Sequence, residues 1–294
     1  MNSREILKNA QLNRYAIGAF NFSTAEILKA IVLAGRELRA PLIVATSKRE
    51  AEFLGMREVV ALVDAWREAT KIPLILNLDH GKELADIKKA IATGYNAVHF
   101  DGSGLSFEEN IRQTKEVVNY VRQVQETFDR EILVEGELGY LRGTSALQEE
   151  KLEIKPEDLT DPEQAREFAE KTGVDSLAMA IGNAHGIFKT SEEKLDLEKL
   201  AQIKEAVGEK VFLVLHGGSG IPSQDVKKGI EIGIVKVNVN TDLRLAYSQA
   251  LIDQFKKDPK ETTPYKILEP VIEMVKKVVG EKIMLFGSDN KVET

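Results

Sequence analysis

The chain has 294 residues, 43% hydrophobic and 30% charged, a balance ordinary for a globular protein and long enough to bury roughly three-quarters of its unfolded surface. It contains no cysteine, which excludes disulfides and thiolate-held metals. A formal net charge of −7 without a long basic run argues against nucleic-acid binding, and no run approaches the roughly 20 apolar residues that span a membrane.

The opening Met1-Asn2-Ser3-Arg4-Glu5 lacks the apolar stretch of a signal peptide, so the expected location is cytoplasmic. β-rich runs then begin at Tyr15 (YAIGAFN), Pro41 (PLIVATS), Pro73 (PLILNLD), Ala97 (AVHFDGS), Ile132 (ILVEGEL), Ser176 (SLAMAIG), Phe212 (FLVLHGG) and Ile234 (IVKVNVNT). Segments with helical spacing separate them, such as Ile27, Ile31, Ala34 and Leu38, or Ile111, Val117, Val118 and Val121. Parallel strands need a crossover between them, so eight strand-helix units predict an α/β fold, a (β/α)8 TIM barrel, with an open doubly wound sheet as the alternative. An amphipathic stretch at 264–279 predicts one further C-terminal helix. No Gly/Ser linker divides the chain, so 1–294 is expected to be a single domain. Long connections at 140–161 and 183–196, after strands five and six, are candidate lids.

Barrels of this kind carry their chemistry where strands end. Strand three ends Asn77-Leu78-Asp79-His80-Gly81, strand six Gly182-Asn183-Ala184-His185-Gly186, and strand seven His216-Gly217-Gly218-Ser219-Gly220. Three of the chain's four histidines therefore fall at one face, each followed by glycine. Three neutral imidazoles with an open fourth position make a catalytic zinc site able to polarise a carbonyl. A lone histidine at a strand end is usually structural; three together are not explained that way. The fourth, His99, shares side-chain parity with Asp101 and reads as a packed, hydrogen-bonded barrel residue. The glycines of HGGSG, with Ser219 and the nearby run Asn238-Val239-Asn240-Thr241, suit a phosphate. Asp79, Asp101, Glu135 and Glu137 sit in apolar runs at the same end, and Glu135 and Glu137 share parity. Buried carboxylates call for a second cation or a proton-transfer role.

These motifs resemble the class II fructose-bisphosphate and tagatose-bisphosphate aldolases over nearly the whole chain: GAFN at 18–21, LDHG at 78–81, FDGS at 100–103, EGELG at 135–139, GNAHG at 182–186, HGGSGIP at 216–222 and KVNVNTDLR at 236–244. The resemblance implies reversible retro-aldol cleavage of a ketose 1,6-bisphosphate to dihydroxyacetone phosphate and glyceraldehyde 3-phosphate, a step of glycolysis and related carbohydrate metabolism. It assigns Zn²⁺ to His80, His185 and His216, and acid/base work at the C4 hydroxyl to Asp79. It assigns the dihydroxyacetone phosphate part to Gly186, Gly217, Gly218, Ser219, Asn238, Val239, Asn240 and Thr241, and substrate-side positions to Asn21 and Ser47. Asp101 and Glu135 match a second site for a divalent or monovalent cation. A homodimer or homotetramer is implied as well.

Three departures stand out. Asn77 replaces the first histidine of the usual His-Leu-Asp-His, and Gly104 replaces a bulkier polar residue after FDGS. After EGELG the chain reads Tyr140-Leu141-Arg142-Gly143-Thr144-Ser145, without the usual acidic proton-transfer group, leaving Glu149 or Glu150 as candidate loop acids. Lys236 is the rival nucleophile for Schiff-base chemistry, which would leave the histidines unexplained. The competing functions are a metal-dependent aldolase using another aldehyde partner and a non-catalytic sugar-phosphate-binding barrel.

Overall fold

A computed structural model describes residues 2–148, 154–188 and 194–292, with the side chains of 144–148, 185, 187 and 188 outside that description. In chain order the elements are α1 (Ser3–Leu12), β1 (Ile17–Asn21), α2 (Ala25–Glu37), β2 (Leu42–Ser47), α3 (Lys48–Leu54), α4 (Met56–Thr70), β3 (Leu74–Gly81), α5 (Leu84–Thr93), β4 (Ala97–Phe100), α6 (Phe107–Phe128) and β5 (Leu133–Leu138). There follow β6 (Gly143–Gln148), α7 (Pro162–Thr172), β7 (Ser176–Met179), β8 (His185–Phe188), α8 (Leu197–Val207), β9 (Phe212–Leu215), α9 (Ser223–Ile232), β10 (Ile234–Val239), α10 (Thr241–Lys257) and α11 (Pro264–Phe286).

Eight strands close a parallel barrel in the order β1-β10-β9-β7-β5-β4-β3-β2. All eight runs expected from the sequence are staves of this barrel, and the open-sheet alternative falls away. The expected last helix is α11, longer than its apolar periodicity suggested and ended by Gly287 in the left-handed conformation. What the sequence reading missed is a second, two-stranded parallel sheet made by β6 and β8, drawn from the two long connections. Among the described residues no helix is long and apolar enough to cross a membrane.

Side-chain alternation divides the molecule into three regions. Residues of one parity (Leu76, Leu78, Val98, Val134, Leu177, Leu213) pack outward against the helices in the main core. The other parity points into the barrel. Its lower layer is apolar (Ile17, Ile43, Ile75, Ala97, Leu133, Phe212) and is plugged from below by Ile6, Leu7 and Ala10 of α1. Two residues further along the same strands come the buried polar groups Asn77, His99 and Glu135, and beyond them Asn21, Asp79 and Glu137. Because strand period is two, each stave changes from apolar plug to polar site without exposing its outer face.

The lower rim is tied by Asp175, whose carboxylate accepts from the Val134 amide at 2.7 Å and from the guanidiniums of Arg122, at 2.7 Å, and Arg4. Asp175→Ala leaves that amide without its acceptor and removes the carboxylate partner of both arginines at once. It is expected to lower unfolding stability by about 2–3 kcal/mol, read as a reduced urea midpoint with unchanged m-value.

Candidate active site

At the carboxyl ends of the staves β3 bends sharply. His80 adopts a left-handed backbone (φ 51°), and the ladder with β4 slips between Leu78 and Gly81. For a non-glycine residue that conformation costs about 1–2 kcal/mol, and it is held by a hydrogen bond from the His80 amide to Nδ1 of His99, at 3.1 Å. The bend turns the His80 ring toward His216, bringing His80 Nε2 within 3.2 Å of His216 Nδ1. The rings of His80, His99 and His216 lie 4.7–4.9 Å apart, centroid to centroid.

The carboxylates interleave with these rings. His80 Nδ1 is 3.1 Å from Asp101 Oδ2, and Ser103 fixes the other Asp101 oxygen with a 2.6 Å hydroxyl bond. His99 Nε2 lies 2.9 Å from Glu137 Oε2, yet neither atom has a partner in hydrogen-bonding alignment. Glu135 accepts from His216 Nε2 at 2.9 Å and from the Lys236 ammonium at 2.7 Å. Asp79 is clamped by two carboxamides: Asn21 Nδ2 donates to one oxygen at 3.0 Å and Asn238 Nδ2 to the other at 3.1 Å. With both amides so oriented, the oxygens of Asn21 and Asn238 are buried without a partner.

Burial alone would raise the Asp79 carboxyl, but the neighbouring imidazoles of His80, His99 and His216 overcome it and hold Asp79 well below the usual range. Burial likewise opposes charging of His99, and the carboxylates of Asp79, Glu135 and Glu137 still push it up to about 10. Two forces therefore conflict at that ring. The carboxylates call for positive charge, while the His80 amide occupies the Nδ1 lone pair where the second proton would sit. A cation among the rings resolves the conflict without protonating His99. The donor set suits it: ligand atoms of Asp79, His80, His99 and His216 lie within 4.8 Å of one another, as do those of His80, Asp101 and Glu137.

Of the three expected zinc ligands, the structure brings His80 and His216 together. The backbone of His185 lies in β8, level with Gly143 of β6, and its side chain falls outside the described residues. His99 is fully buried and hydrogen-bonded, as its place in β4 suggested, and it also lies within reach of the candidate ion. The expected Asp101–Glu135 pairing does not form: Glu137 faces Asp101 and His80, while Glu135 is committed to His216 and Lys236. Parity placed both glutamates inside but could not say which partner each would meet. Glu149 and Glu150 lie outside the described residues.

Beside the imidazoles a cavity is lined by Asn21, Asp79, His80, Gly186, His216, Gly217, Ser219, Asn238, Asn240 and Thr241. The N-terminus of α10 faces it; the side chain of Asn240, the residue just before the helix, makes no capping bond, and Ser219 Oγ accepts the Asp242 amide at 3.2 Å. Free amides at a helix N-terminus attract an anion. Gly217 has φ 65°, and a Cβ there would meet the Ala184 carbonyl oxygen at 2.0 Å, so only glycine lets these two turns approach. Asn183 locks the same junction by donating to the His216 carbonyl at 2.9 Å. Two expected phosphate residues do not line this cavity: Val239 packs in the outer core, and the Gly218 amide is used by the Asn238 carbonyl at 2.9 Å. Ser47 pairs with Asp79 in the ladder and caps α3 in a reciprocal box with Glu50. Glu50, which sequence reading passed over, also accepts from Asn21 at 3.2 Å.

The family model described as fructose-bisphosphate aldolase class-II matches residues 1–291. The chain belongs to this family. Among solved structures, the YdjI aldolase from Escherichia coli K12 is 34% identical over 99% of both chains, with a TM-score of 0.82. A putative fructose-1,6-biphosphate aldolase from Coccidioides immitis is 29% identical over 98% of this chain and 97% of that one, with a TM-score of 0.84. Fructose-bisphosphate aldolase from Campylobacter jejuni, at 21% identity, shares the fold over 98% of this chain and 94% of its own, with a TM-score of 0.82. The class II aldolase barrel thus accounts for the whole described molecule, and its family chemistry is aldol cleavage of phosphorylated sugars.

Gly217→Ala is expected to destabilise the chain by about 1–3 kcal/mol through the forced backbone conformation. It should also abolish any rise in melting temperature that millimolar dihydroxyacetone phosphate produces. Parallel thermal scans with and without the ligand check both.

Proposed function

We propose that the protein is a zinc-dependent ketose-bisphosphate aldolase, cleaving a fructose- or tagatose-type 1,6-bisphosphate reversibly to dihydroxyacetone phosphate and glyceraldehyde 3-phosphate. One observation carries the reading: Asp79, fixed by two carboxamides, stands beside the imidazole cluster that holds its carboxyl well below the usual range, and next to a helix terminus suited to an anion. His80 and His216, with His185 from the family pattern, would hold Zn²⁺. When bound, the ion supplies the electron sink that cleavage beside a carbonyl requires.

The chain's own residues do the rest. The Gly217-Ser219 turn and the start of α10 seat the 1-phosphate and so fix which carbon lies at the cluster. The unpartnered oxygens of Asn21 and Asn238 accept hydrogen bonds from substrate hydroxyls. Asp79, acceptor-only when ionised, takes the proton of the C4 hydroxyl as the C3–C4 bond breaks, and returns it in the synthetic direction. Glu149 or Glu150 is the proposed partner for proton exchange on the triose carbon. Alanine at both positions with turnover unchanged would assign that step elsewhere. Assembly as a homodimer or homotetramer and a cytoplasmic location belong to the same reading.

Dialysis against EDTA should abolish triose-phosphate release, and Zn²⁺ should restore it. Asp79→Ala should lower kcat by about 10²–10⁴-fold with zinc content retained. Fructose and tagatose bisphosphates, assayed side by side, rank the two sugars. Stabilisation by both without turnover of either, in zinc-replete protein, would instead mark a sugar-phosphate-binding barrel.

A further inference from the structure

Lys236 is a buried group of the barrel interior that the proposed reaction leaves without a task. It is 3% exposed, it lies in β10, and its ammonium donates to Glu135 Oε2 at 2.7 Å. The other oxygen of Glu135 faces His216 Nε2 at 2.9 Å, and the opposite nitrogen of that ring, Nδ1, faces His80 Nε2. A continuous line therefore runs from ammonium through carboxylate and imidazole to the cluster of rings. We propose that Lys236 is a positioning residue for His216: by holding Glu135 turned toward the ring, it fixes the Nε2–H tautomer and leaves the Nδ1 lone pair directed at the metal.

The argument is one of donors and acceptors. An ionised carboxylate only accepts, so the imidazole nitrogen facing it must carry hydrogen. In a neutral ring the other nitrogen is then an acceptor, the form a metal needs. Glu135 is deeply buried, and its two oxygens are divided between Lys236 and His216, so the lysine sets the direction from which the carboxylate meets the ring. A Schiff-base role would require a neutral amine and would remove the charge that orients Glu135. A small cavity of about 20 Å³ adjoins the pair, lined by Asn77, Glu135, Ser176 and Lys236 and by apolar side chains of the plug such as Ile43, Ile75 and Leu133.

This inference rests on the divalent-ion reading of the site, and the experiment separates the two. The test compares the unaltered protein with Lys236→Met, Lys236→Arg and Glu135→Gln. In the metal-free proteins, ¹⁵N shifts of the imidazoles report the His216 tautomer. In the metal-bound proteins, chelator competition gives the zinc dissociation constant, and cobalt substitution gives a ligand-field spectrum. The expected result is an Nε2–H tautomer in the unaltered protein, lost in Lys236→Met together with ten- to hundredfold of zinc affinity and a changed cobalt spectrum. Lys236→Arg should restore all three. If Lys236→Met does not fold, Glu135→Gln decides the question. Its oxygen turned to Lys236 presents an amide N–H to His216, so the ring must switch tautomer and lose metal. A folded Lys236→Met or Glu135→Gln protein with unaltered tautomer, zinc affinity and cobalt spectrum overturns the inference. Absence of zinc binding by the unaltered protein overturns the underlying reading instead.

Discussion

The architecture depends on holding four carboxylates, those of Asp79, Asp101, Glu135 and Glu137, at the mouth of a barrel with one buried ammonium among them. Isolated charges so placed would be costly, by several kcal/mol each, unless paired. The molecule meets the cost with three imidazoles and a set of fixed amide and hydroxyl donors. Each carboxylate has its own arrangement: two carboxamides on Asp79, a serine on Asp101, a lysine on Glu135, and an imidazole close to Glu137. The arrangement concentrates carboxylates around the imidazoles, and a cation held there would complete the balance.

Backbone geometry enforces the same arrangement. The left-handed turn at His80 is unfavourable by itself, and the amide-to-His99 bond that retains it is formed only when β3 and β4 are in register. The Gly217 turn is compatible with the Ala184 carbonyl only in the absence of a side chain. These two features couple closure of the barrel to assembly of the site: the clustered imidazoles and the amides at the start of α10 come into place as the staves align. Below them the apolar plug, sealed by α1, keeps water from the underside of the charged layer. Electrostatic interactions there are stronger than they would be in solvent.

Much of this was legible in the sequence because strand period and strand-end rules act locally. Eight runs gave eight staves, and asking what stood at their carboxyl ends selected Asp79, His80 and His216 before any coordinates. Pairwise identity was harder. Glu135 and Glu137 share a face, and which one meets Asp101 depends on the stagger of β5 against β4 and on the slip at β3, neither visible in one chain. Val239 and Asn240 are neighbours in a motif, yet alternation sends one to the outer core and the other to the cavity. The β6–β8 sheet escaped because its strands are contributed by separate connections and become strands only by pairing with each other. Glu50 escaped because serine followed three residues later by glutamate reads as an ordinary helix cap, which it also is.

The position of Lys236 bears on why such a barrel would use a metal at all. A lysine inside a barrel is also the starting point for Schiff-base aldol chemistry, provided its amine is neutral and reachable. Here the ammonium is held at contact distance by Glu135, whose other oxygen meets His216 Nε2. Freeing the amine would require the carboxylate to protonate or depart, which would unseat the imidazole. The two electron sinks are therefore mutually exclusive in this architecture. With Glu135 placed between lysine and histidine, the lysine is committed to holding that carboxylate against the imidazole rather than to forming a covalent bond of its own.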